Sequence, residues 1–210
     1  MKIIPPGIRI SEFLSGNCTF AYRRSPNIMF MKAKTTQSVQ FLEDLCNHVV
    51  RHPRLRKDTT NRNEREVQTE LREFIIDFLL KYFQGKGYKD SEAKANQSFY
   101  WEGEEGSFGR MREPIFGARN YPDFIIEKPY KIAIEYKQNK SGSVVKHGIG
   151  QSIMHTLSGD FDFVIFLFKD QNKDDKVASS ATNQKENTII RSVWDNYNVM
   201  VRLIHFDNVK

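Results

Sequence analysis

The chain has 210 residues, 39% of them hydrophobic and 28% charged, with two cysteines and a formal net charge of +6. That length suits one domain of moderate size plus an elaboration, large enough for a substantial core. No apolar run reaches membrane-spanning length, Met1-Lys2-Ile3-Ile4-Pro5-Pro6 lacks a signal peptide's hydrophobic segment, and Cys18 and Cys46 form no CxxC pair; a membrane span, a disulfide framework and a zinc cluster are therefore not expected, and a soluble cytoplasmic protein is.

Positive charge is concentrated at the start. Residues 1–65 hold 12 Lys+Arg against 5 Asp+Glu, and the remainder holds 20 against 21. The surplus includes Arg23, Arg24, Lys32, Lys34, Arg51, Arg54, Arg56, Lys57, Arg62 and Arg65, with His48 and His52 between. Such a segment suits a polyanion, nucleic acid above all; the alternative is a solvated positive face without a partner. Residues 1–62 are taken as a basic N-terminal elaboration, broken by Pro5-Pro6-Gly7 and Ser25-Pro26-Asn27. Within it the spacing of Val39, Leu42, Leu45, Cys46 and Val49 predicts a helix near Thr36–Val50.

Residues 63–210 are taken as the core. From Asn63 to Phe83, Val67, Leu71, Phe74, Ile75, Phe78, Leu79 and Tyr82 recur at helical spacing. Advancing about 100° per residue from Val67, the apolar stripe centres at roughly 40° and Glu64 falls at roughly 60°, inside it. Glu66 and Glu73 fall opposite, and Glu70 lies at the edge. A carboxylate aimed with the core needs a partner, which a metal cluster would supply; the alternative is a first-turn acid favoured by the helix dipole.

Gln97-Ser98-Phe99-Tyr100-Trp101 reads as a strand, and the glycine-punctuated stretch from Glu102 to Asn120 as a loop whose Arg110, Arg112 and Arg119 suit phosphate contacts, the alternative being an ordinary surface loop. A hairpin follows. Its first strand is Asp123–Glu127, its turn Lys128-Pro129-Tyr130 and its second strand Lys131–Lys137. Alternation puts Ala133, Glu135 and Lys137 on one face and Ile132, Ile134 and Tyr136 on the other. Val144 to His155 reads as a loop entering a helix that ends near Ser158-Gly159, with Gln151 near its start and Lys146 and His147 available to phosphate. Phe161–Phe168 is a nearly continuous apolar run of the kind buried on both faces. A polar stretch from Lys169 to Lys176 leads to a predicted helix over Thr182–Asp195 and an alternating strand over Val199–Phe206. Periodicity alone yields an α/β protein.

The hairpin carries the chemistry. Hard cations such as Mg²⁺ take oxygen ligands, usually one or two carboxylates with waters and substrate phosphate oxygens, so Asp123 and Glu135 suffice as an anchor. Lys137, one pleat from Glu135, would orient or deprotonate a water and offset charge at a phosphate. The alternative is a solvated hairpin with salt-bridging charges.

Pro122-Asp123, a strand-length spacer, then Glu135-Tyr136-Lys137 resembles the signature of the PD-(D/E)xK nuclease superfamily, complete and unsubstituted. The resemblance implies a restriction-endonuclease-like fold: a mixed sheet flanked by helices in the order helix, three strands, helix, strand. It also implies a Mg²⁺-dependent endonuclease, with Mn²⁺ able to substitute, acting on double-stranded DNA in restriction or defence. Asp123 and Glu135 are the implied metal ligands, with the Tyr136 carbonyl and Glu64 completing the sphere, Glu70 standing second to Glu64, and Lys137 positioning the nucleophile. Gln151 matches a glutamine that some members, including RecB-like nucleases, carry near the metal, although His155 stands where an aromatic residue often follows. Arg51, Arg54, Arg56, Lys57, Arg110, Arg112 and Lys146 are the implied nucleic-acid contacts, and a homodimer is expected on family grounds only. An RNA-cleaving or cap-snatching-like member, a repair nuclease or junction resolvase, and a non-catalytic nucleic-acid-binding protein are the alternatives.

Overall fold

The computed structural model describes residues 33–57, 61–104 and 121–205. Twelve elements follow in chain order: α1 (Thr36–Val50), α2 (Pro53–Arg56), α3 (Glu64–Gly85), α4 (Ser91–Gln97), β1 (Phe99–Trp101), β2 (Phe124–Ile126), β3 (Ile132–Asn139), α5 (Gly142–Leu157), β4 (Phe163–Asp170), α6 (Lys176–Ser180), α7 (Gln184–Tyr197) and β5 (Val199–Ile204). The strands form one five-stranded sheet in the order β1-β2-β3-β4-β5. β1, β2 and β3 pair antiparallel, and β3, β4 and β5 pair parallel. The protein is thus α/β, with a mixed sheet flanked by helices. Among the described residues no helix is long and apolar enough to cross a membrane.

The alternation read from the hairpin sorts the two faces. Ile132, Ile134 and Tyr136 enter one hydrophobic cluster with residues of α1 and α3, such as Leu42, Leu45, Leu71 and Ile75. Ala133 enters the other, with Val164, Phe166 and Phe168 of β4, against which Ile149 and Ile153 of α5 pack. Helix α1, inside the segment taken as an elaboration, shares the first cluster with the sheet. All eight residues of β4 are buried, as a strand covered on both faces requires.

Two of the differences from the sequence reading have clear physical reasons. β4 runs two residues beyond the apolar stretch because its last two charges are accommodated: Lys169 donates to the His205 carbonyl, and Asp170 accepts the Val177 and Ala178 N–H groups at the start of α6. Helix α5 begins at Gly142, capped by the Ser141 hydroxyl, so the expected loop before Gln151 is helical. Gly148 is tolerated inside it because a Cβ there would collide with the Phe166 ring. Removing that side chain lets helix and sheet approach, which offsets the roughly 1 kcal/mol that a helical glycine costs.

Candidate functional site

The site forms where the β2–β3 ladder stops. Phe124 pairs with Ile134, the last rung of that ladder, while β3 continues to Asn139 paired with β4 alone. Extending the register by one position sets Asp123 opposite Glu135, two side chains on one face. The next position would set Pro122 opposite Tyr136. Proline has no N–H to donate, so the ladder cannot carry both of its main-chain bonds there. Instead the Asp123 carboxylate closes it: Oδ2 accepts the Tyr136 N–H at 2.7 Å. The N–H and C=O of a strand residue point to the same edge, so the Tyr136 carbonyl also faces the Asp123 side. Pro-Asp opposite Glu-x-Lys thereby ends the β2–β3 ladder and gathers polar side chains at its end.

Helix α3 brings the third acid. Its N-terminus is a capping box: the Asn63 side chain accepts the Glu66 N–H, and the Glu66 carboxylate accepts the Asn63 N–H. Glu66 therefore serves the helix and Glu64 is left to face the sheet. Gln138 fixes this end of α3 to β3, donating to the Arg62 carbonyl at 2.7 Å and accepting from the Tyr136 hydroxyl at 3.0 Å.

Lys137 stands at the centre. Its Nζ lies 2.8 Å from Glu135 Oε1, 3.5 Å from Glu64 Oε1 and 3.9 Å from Asp123 Oδ2. Glu135 is 1% exposed and Asp123 7%, so water screens them little. Burial pushes the Asp123 carboxyl up to about 8, Glu135 pushes it the same way, and Lys137 and the Tyr136 N–H pull against them. Burial would lower the Lys137 ammonium, but Asp123, Glu135 and Glu64 more than offset it and hold the group above its ordinary range. Burial also raises the Tyr136 phenol well above its usual value, keeping it neutral.

Two contacts here were not anticipated from the sequence. Gln68, one turn after Glu64, donates its side-chain N–H to Asp123 Oδ1 at 2.9 Å. His155, on α5, is buried with Nε2 3.5 Å from Glu135 Oε2, and neither atom has a hydrogen-bond partner. The four-residue periodicity of α3 put Gln68 beside Glu64, and that was the only sequence signal for it.

Other predicted residues lie elsewhere. Glu70 pairs with Arg62 at 3.0 Å and Arg54 at 3.9 Å, so Glu64 rather than Glu70 meets the hairpin. Gln151, half-buried, falls in the middle of α5 rather than near its start, and no described hydrogen bond joins it to the acids. Arg54 is engaged with Glu73 at 3.0 Å and lies over the Phe74 ring. Arg51, Lys57 and Lys146 are exposed, and Arg56 is half-buried. Arg110, Arg112, Arg119 and Cys18 lie outside the described residues, and Cys46 is a buried free thiol.

The donor set fits a hard cation. Among the described residues no three His, Cys, Asp or Glu side chains gather tightly enough to hold an ion unaided. Mg²⁺ does not demand that, because it keeps several waters and uses one or two carboxylates. Glu135 Oε2 is a buried oxygen without a hydrogen bond, and the Lys137 ammonium shows that a cation is stable where the carboxylates converge. Compared with protein families, curated proteins and solved structures, the chain matches none.

Proposed function

We propose that this chain is a metal-dependent endonuclease of the PD-(D/E)xK type, with a restriction-endonuclease-like core, cutting double-stranded DNA in restriction or defence. The observation that carries the proposal is the convergence of Asp123, Glu135 and Glu64, from three separate segments of the chain, on Lys137. Asp123, Glu135 and the Tyr136 carbonyl would hold Mg²⁺ or Mn²⁺, with Glu64 close by. The ion supplies an acidified water and stabilises charge on a phosphate oxygen.

The chain's own groups do the rest. Lys137, held charged by its neighbours, orients the attacking water and offsets negative charge at the scissile phosphate. It is a poor general base in this state, because its ammonium holds its proton more tightly than usual. Asp123 gives up its proton before it can serve as an anionic ligand, so ion binding and deprotonation are coupled. The basic surplus of residues 1–65 suits phosphates away from the cut.

The test is digestion of duplex DNA, single-stranded DNA and RNA by purified protein with Mg²⁺, with Mn²⁺ and with chelator. Duplex cleavage that needs the ion and disappears in Glu135→Ala is the expected result. Cleavage of RNA alone would overturn the substrate, and ion-independent cleavage that survives Glu135→Ala would overturn the site.

A further inference from the structure

Asp123 is held at both oxygens before any ion arrives. Oδ2 accepts the main-chain N–H of Tyr136 at 2.7 Å, and Oδ1 accepts the side-chain N–H of Gln68 at 2.9 Å. The amide nitrogen of Gln68 faces Oδ1, the arrangement that suits the ionised form a metal requires, because an ionised carboxylate only accepts. Gln68 is 7% exposed and is the fifth residue of a 22-residue helix, so burial restricts the donor opposite the main-chain one. Two N–H groups from two different elements therefore fix the plane of one carboxylate.

The main-chain contact is available to any residue but proline at position 136, whereas the Gln68 contact depends on one side chain. Resting on the proposed metal site, we propose that Gln68 is a positioning residue that tunes this site toward small octahedral ions over Ca²⁺. Mg²⁺ and Mn²⁺ reward oxygen ligands held in a fixed arrangement, while Ca²⁺ takes six to eight oxygens in flexible geometry and often chelates a carboxylate through both oxygens. A carboxylate free to rotate serves Ca²⁺ well. One clamped at both oxygens serves the smaller ions better. Hydrogen bonds that orient a metal ligand typically change affinity by about 10–100-fold.

The experiment is calorimetric titration of Mn²⁺ and of Ca²⁺ into the full-length protein, comparing wild type with Gln68→Met and Gln68→Leu. Methionine keeps the length and helix preference of glutamine without a donor, and leucine checks that the effect does not depend on one replacement's shape. The expected result is a loss of about tenfold or more in Mn²⁺ affinity with Ca²⁺ affinity unchanged or higher, so that the ratio between the ions collapses. Equal losses for both ions, or no change in either, would overturn the role of Gln68 and leave the metal site standing. Failure of wild type to bind Mn²⁺, or equal binding by Asp123→Asn, would instead remove the metal site itself and this inference with it.

Discussion

Two sets of ion pairs of similar length flank helix α3 in different surroundings. At its N-terminal end Lys137 meets Glu135 at 2.8 Å, with side chains 25% and 1% exposed. Further along, Arg54 meets Glu73 at 3.0 Å, with side chains 47% and 53% exposed. At equal separation, the effective dielectric sets the strength, and it differs severalfold between surface and interior. The outer pair is screened and contributes about 0–1 kcal/mol. In the inner cluster desolvation and mutual repulsion are strong enough to lift Asp123 to about 8. Distance alone does not distinguish the surface ion pair from the cluster proposed to recruit a metal; burial does.

The contrast can be broken in graded steps. The largest effect is expected from Asp123→Ala or Glu135→Ala, each lowering the rate of duplex cleavage by about 10³-fold or more, since an ion's charge stabilisation is worth several kcal/mol; single-turnover gel assays read this directly. Next, Lys137→Met strands buried carboxylates without their cation and should destabilise the metal-free protein by about 3 kcal/mol in urea unfolding, with added Mn²⁺ recovering part of the loss.

A pH series sharpens the same difference. Native Asp123 keeps its proton to about 8, while the unfolded chain releases it near 3.8. The native state thus binds more protons across that window, and metal-free stability falls as pH rises through it. Lys137, raised above its ordinary value, adds stability that is lost only at still higher pH. Asp123→Asn should flatten the dependence between the two Asp123 values, and an unchanged slope would refute the assignment. The smallest effect belongs to the outer cluster: Glu73→Gln should alter stability by no more than about 1 kcal/mol and leave Mn²⁺ titrations unchanged.

These differences also mark what the sequence could show. Periodicity alone located α1 from Thr36 to Val50, sorted β3 into its two faces, and put Glu64 on the sheet side of α3. Local spacing encodes such features because a helix repeats every 3.6 residues and a strand every two. Gln68 and His155 were not legible, because their roles depend on what lies across from them, 55 and 20 residues away in sequence. Charges misled at β4, where Lys169 and Asp170 are buried with partners that only the fold brings together. Helix α5 begins earlier than its sequence suggests, and Gly148 inside it permits packing rather than a turn. The acidic neighbours of Arg54, Glu70 and Glu73, were likewise not legible as its partners.

The central claim is that Asp123 and Glu135 form the metal site of a nuclease, and crystals soaked in Mn²⁺ test it most directly. Anomalous density between the two carboxylates and within reach of the Tyr136 carbonyl, lost in Glu135→Ala crystals, is the predicted result. Density at other residues only, or none at saturating Mn²⁺, would contradict it.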